Sequence, residues 1–229
     1  MESIKLQELS PEPSLSTSPS GESFLLPQPG DYAAEFKRLK KLTAEHRLAG
    51  HEIVVVMGVG FVGAVMAGIV ADAPGKFVIG MQRPSPRSYW KIPLLNRGIA
   101  PVEAEDPEVA PLIERCVNQK KTLTATFTYD ALTLADVVVV DVQCDYLKEE
   151  LGNCRSGHAD ISALEESLKI IGHRINPHCL VLIETTVPPG TTEYVAYPII
   201  KKAFEKRGID AESLLAHSYE RVMPGRNYV

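Results

Sequence analysis

The chain has 229 residues, 45% of them apolar, and its 24 Lys and Arg stand against 29 Asp and Glu for a net charge of −5. That composition is globular and mildly acidic, and it lacks the dense positive field that nucleic-acid binding needs. The one basic run, Lys37-Arg38-Leu39-Lys40-Lys41, falls in a helical pattern and reads as a solvated face. The N-terminus has neither a basic n-region nor an apolar h-region, and no stretch stays apolar for the ~20 residues that cross a bilayer. The four cysteines (Cys116, Cys144, Cys154, Cys179) lack CxxC spacing. The expectation is a cytoplasmic protein with reduced thiols, no metal site, no nucleic acid and no membrane partner.

In chain order, Ser10 to Gly30 (SPEPSLSTSPSGESFLLPQPG) is too polar to bury a core, so residues 1–30 are predicted to be a disordered tail. Asp31 is placed to cap a helix running to about Leu48, with Tyr32, Phe36, Leu39 and Leu42 on one face and Gly50 as its stop. Residues 31–50 are thus read as an N-terminal helix added to the edge of a main domain. From His51 to residue 229 the pattern changes. The apolar runs Ile53–Met57, Phe77–Ile79, Leu123–Phe127, Val137–Val142 and Leu180–Ile183 read as strands buried on both faces, with a last one near Leu214–Ser218. Helical spacing fills the gaps at Val62–Val70, Pro107–Val117, Ile161–Ile175 and Thr192–Phe204. Strand alternating with helix predicts an α/β fold, a Rossmann-type doubly wound parallel sheet.

Gly58-Val59-Gly60-Phe61-Val62-Gly63 is GxGxxG, directly after the first strand and directly before a helix. Gly58 permits the tight turn, Gly60 lets backbone approach a pyrophosphate, and Gly63 lets the helix pack on the strand, with the helix N-terminus facing phosphate. Strand, turn and helix stand in the order the fingerprint requires, so residues 51–229 are read as a dinucleotide-binding domain. The fingerprint also expects an acidic residue at the end of the second strand to hold the adenosine ribose; here Gln82 and Arg83 stand there. Gln82 is read as accepting one ribose hydroxyl. NAD is the expected cofactor, with NADP left open, because Gln82 carries no charge to repel a 2′-phosphate and Arg83 or Arg87 can bind one.

Three downstream segments extend the reading. Asn96-Arg97-Gly98 with Pro101 and Glu103 looks like an N-x-G…P-x-E loop. Glu184-Thr185-Thr186-Val187-Pro188-Pro189-Gly190-Thr191-Thr192 matches E-S-T-V-P-P-G-T-T, and Ser218-Tyr219-Glu220-Arg221-Val222-Met223-Pro224-Gly225 matches S-P-E-R-V-x-P-G. On these motifs the chain resembles the N-terminal NAD-binding domain of the nucleotide-sugar 6-dehydrogenases, the UDP-glucose/GDP-mannose dehydrogenase family. Pro224 makes it more similar to the UDP-N-acetyl-mannosamine and -glucosamine type. The fourth strand of that family ends in Val-Pro-Thr-Pro, where this chain reads Val142-Gln143-Cys144-Asp145.

The resemblance implies oxidation of the C6 alcohol of a UDP-hexose or UDP-N-acetylhexosamine to the uronic acid with two NAD. It passes through a thiohemiacetal and a thioester on a Cys farther along the chain. Glu220 matches the general base for thioester hydrolysis and Thr186 the residue that places the water. The cofactor residues it implies are Gly58, Gly60, Phe61, Val62, Gly63, Gln82, Arg83, Val142, Cys144 and Thr186. The nucleophile's G-x-G-G-x-C motif and a substrate domain are not found, so the chain is expected to be the cofactor half of an enzyme, inactive alone. The nucleotide sugar would then bind through a domain outside this chain, and the family usually forms homodimers. The alternative is a non-catalytic NAD(P)-binding or regulatory module of the same descent. Tyr197-Pro198-Ile199-Ile200-Lys201 spells the YxxxK of short-chain dehydrogenases, but the glycine spacing is wrong for them.

Overall fold

The computed structural model describes residues 14–153 and 155–219. The segment expected to be a disordered tail is ordered where it is described. β1 (Leu15–Thr17) pairs antiparallel with β2 (Ser23–Leu25), with Leu15 opposite Leu25. Its composition cannot make a core of its own, so the hairpin uses the surface of the main domain. The Trp90 N–H donates to Ser16 Oγ at 3.0 Å, and Arg97 forks onto Glu22 at 2.6 and 2.8 Å.

α1 (Pro29–Leu48) begins one turn before the expected cap. Asp31 acts from inside the first turn, accepting the Gln28 N–H at 2.7 Å. Gly50, at φ +81°, ends the helix as expected.

The apolar runs fold as predicted, within a few residues. β3 (Glu52–Met57), β4 (Lys76–Met81), β5 (Leu123–Thr126), β6 (Val137–Val140), β9 (Leu180–Ile183) and β10 (Leu214–His217) form one sheet, while β7 (Asp145–Leu147) and β8 (His158–Asp160) make a separate hairpin that was not anticipated. The sheet is parallel throughout and ordered β10-β9-β6-β3-β4-β5. That is the Rossmann order, with the chain reversing direction across the sheet between β3 and β6.

Layers on both faces explain why the strands read as unbroken apolar runs. Val55, Ile79, Val138 and Val181 pack on one side with Leu39 of α1, Leu164 and Leu168 of α5 (Ser162–Gly172), and Phe204 of α6 (Tyr197–Lys206). Val54, Val56, Val78 and Val139 pack on the other, with Ala67 and Ala71 of α2 (Phe61–Asp72) and Leu112 of α4 (Val109–Glu114). A short α3 (Lys91–Asn96) was not anticipated, and π-helical turns extend α4 and precede α6. Among the described residues no helix is long and apolar enough to cross a membrane.

Candidate functional site

The C-terminal ends of β3, β4 and β6 meet at the point where the strand order reverses, which is where open α/β sheets hold ligands. The Gly58 N–H donates to Met81 O at 2.8 Å and the Asp141 N–H to Met57 O at 2.9 Å, so the three ends are tied together. Gly58 has φ +106°, and a Cβ on it would stand 2.0 Å from Asp141 O. A Cβ on Gly63 would stand 1.8 Å from Gly58 O and 2.6 Å from an Asp141 carboxylate oxygen. These two glycines close the turn onto the neighbouring strand. Gly60 differs: nothing lies within 4 Å of where its Cβ would be. The turn is therefore open at one place, the middle glycine, and that opening fits a pyrophosphate approaching bare backbone at the start of α2.

Beside the turn lies a cleft of about 400 Å³. Of the residues singled out from the sequence, Gly58, Gly60, Gln82, Arg83 and Val142 line it. Gly63 is buried beneath, and Phe61 and Val62 open α2 half-buried and outside the lining. Cys144 is half-buried two residues beyond Val142, and Thr186 is exposed past the end of β9; neither reaches the lining. Glu220 lies outside the described residues.

The Gln82 amide oxygen accepts the Val59 N–H at 3.1 Å, so one of its two lone pairs serves the glycine turn. Arg87 is exposed and outside the lining.

Sequence reasoning missed Lys91, Tyr129, Asp141 and Glu166, which also line the cleft. Lys91 and Tyr129 come from α3 and a 3-10 turn, elements too short to carry a periodic signal. Burial lowers the Lys91 pKa and raises that of Tyr129. Thr185 was passed over for its neighbour Thr186. Its buried hydroxyl donates to Val142 O at 2.8 Å and accepts the Val142 N–H at 3.0 Å, fixing the chain where β6 leaves the sheet.

The described thiols are free, and burial is the first cause that raises each pKa: to about 11 at Cys116, to about 12 at Cys179, and upward at Cys144, which Asp145 and Asp160 push further. None is an activated nucleophile. Tyr197 and Lys201 do meet, with Lys201 Nζ 3.4 Å from the phenol oxygen, but that phenol donates to Glu212 at 2.5 Å and lies outside the cleft lining.

Comparison with known proteins places this architecture. The model of the UDP-glucose/GDP-mannose dehydrogenase family, NAD binding domain, matches residues 52–229. The UDP-N-acetyl-D-mannosamine dehydrogenase of Pyrococcus horikoshii is 29% identical over 173 residues, 76% of this chain and 37% of that protein. The crystal structure of an NDP-N-acetyl-D-galactosaminuronic acid dehydrogenase from Methanosarcina mazei Go1 superposes with a TM-score of 0.66 at 33% identity, covering 82% of this chain and 38% of the other. A ternary complex of GDP-mannose dehydrogenase from Pseudomonas aeruginosa gives a TM-score of 0.59 at 26% identity over 75% of this chain and 36% of the other. The chain thus spans little more than a third of the length of the relatives it matches. It belongs to the UDP-glucose/GDP-mannose dehydrogenase family and carries that family's NAD binding domain.

Proposed function

We propose that this chain is the cofactor-binding part of a nucleotide-sugar 6-dehydrogenase that oxidises the C6 alcohol of a UDP-hexose or UDP-N-acetylhexosamine to the uronic acid. The single observation that carries this is the glycine turn at the strand-order reversal, closed by Gly58 and Gly63 and open at Gly60. NAD, when bound, supplies the hydride acceptor. The backbone at Gly58 and Gly60, with the start of α2 at Phe61 and Val62, would hold its pyrophosphate. Gln82 and Arg83 would flank the adenosine on the β4 side of β3. Val142, Cys144 and Thr186, carried at the ends of β6 and β9, would border the reacting end. Thr186 and Glu220 would place and activate the water that completes the oxidation. The nucleotide sugar would be met by a further domain, in a homodimeric cytoplasmic enzyme.

The test is NAD titration by calorimetry. Gly60→Val abolishes binding and leaves the melting temperature within about 2 °C, because its side chain enters open space that the pyrophosphate needs. Undiminished NAD affinity in that variant would overturn the assignment.

A further inference from the structure

The β4 side of the cleft presents donors and cations. Gln82 and Arg83 directly follow β4, and Lys91 opens α3; all three line the same space. Lys91 is half-buried, with its ammonium over the Trp90 ring, 5.8 Å from the centroid. Among the described residues neither this ammonium nor the Arg83 guanidinium has a hydrogen bond or an ion pair. Arg83 is exposed, but Lys91 is partly withdrawn from water, and the cost of withdrawing a cation without an acceptor is relieved when a ligand brings one.

Gln82 adds direction. A backbone N–H can only donate, so the atom that Val59 meets at 3.1 Å is the amide oxygen. The amide nitrogen remains, and it is a donor only. It suits an acceptor such as a phosphate oxygen, whereas a carboxylate at this position would repel one. Of the two carboxylates that line the cleft, Asp141 follows β6, which lies on the far side of β3 from β4, while Glu166 of α5 faces Tyr129, as Arg83 does.

Building on the cofactor-site reading above, we propose that Gln82, Arg83 and Lys91 form a subsite for a 2′-phosphorylated ribose, so that the cleft takes NADP as well as NAD. Three donors of this kind supply charge-assisted bonds that a free 2′-hydroxyl cannot fully use.

The full 229-residue chain, titrated with NAD and with NADP by calorimetry, tests this. At low salt NADP is expected to bind within about tenfold of NAD, and its affinity falls more steeply as salt rises because the added phosphate is screened. NAD binding with NADP more than about tenfold weaker overturns the proposal and leaves the cofactor site standing. Binding of neither overturns both. Two variants separate the subsite from general packing. Lys91→Met is expected to weaken NADP by about tenfold or more and NAD by less than about threefold. Gln82→Glu keeps an oxygen for the Val59 N–H and adds a negative charge, which shifts preference toward NAD by more than about tenfold. Equal losses for both cofactors in either variant that melts like the parent overturn the assignment.

Discussion

Gly60 and Gly63 belong to one motif and are constrained by different things. A methyl group on Gly63 would overlap the Gly58 carbonyl and an Asp141 carboxylate oxygen, so strand and helix would have to separate. Gly63→Ala is therefore expected to cost about 2 kcal/mol or more in urea melts, whereas Gly60→Ala has space and keeps its stability. Equal stability of the two variants would contradict this geometry. Asp72 gives a pH prediction. It ends α2 between Arg115, at 3.0 Å, and Lys120, at 2.6 Å, and their bonds hold its carboxyl well below the usual range. A folded pKa below the unfolded one means that this stabilisation is complete above the unfolded value of about 3.9 and is lost as the pH falls through the folded one. Asp72→Asn should accordingly flatten the loss of stability between about pH 5 and pH 2, and an unchanged slope would rule the pairing out. The glycines were legible because their spacing is local. Lys91 and Asp141 were not, since no spacing along the chain says which loop will lie across from which.

At the scale of elements, the central sheet strands were legible because burial leaves β3, β4 and β6 with short, nearly unbroken apolar runs. The hairpins β1–β2 and β7–β8 and the short α3 escaped for the opposite reason: they have three to six residues each, and docking decides their state. α3 and α1 also protect the sheet. β5 is an edge strand, and the Asn96 amide accepts the Ala125 N–H at 2.7 Å and donates to its carbonyl at 3.0 Å. Arg38 of α1 adds a bond to the same carbonyl at 3.2 Å, so this stretch of edge is satisfied by side chains and is not free to pair with another chain. The β1–β2 hairpin is coupled to the domain through the fully buried Ser16 and the Trp90 N–H. Ser16→Ala should cost about 1 kcal/mol. It should also shift the emission of Trp90, the one tryptophan in the chain, to the red. A variant with unchanged stability and emission would show that the hairpin is not coupled to the domain.

For the whole molecule, a cofactor that binds only the folded chain must raise its stability. At about 100 times its dissociation constant NAD adds about 2.7 kcal/mol, which for a domain of this size is a rise of roughly 5–10 °C in melting temperature. The rise should appear in thermal melts of the parent and vanish in Gly60→Val; a rise in both would place the ligand elsewhere. By itself the sequence determined the succession of the sheet strands and the longer helices, the position of the glycine turn and the family, because apolar runs, glycine spacing and short motifs are each written within a few residues. Only the tertiary structure decided what the Gln82 amide faces, since the N–H that claims its oxygen lies 23 residues away on another strand end. It also decided that part of a Ser/Pro-rich tail is a docked hairpin, since the group that holds Ser16 lies 74 residues along the chain. In both cases a polar group takes the partner that folding brings within 3.1 Å, and sequence spacing carries no record of which partner that will be.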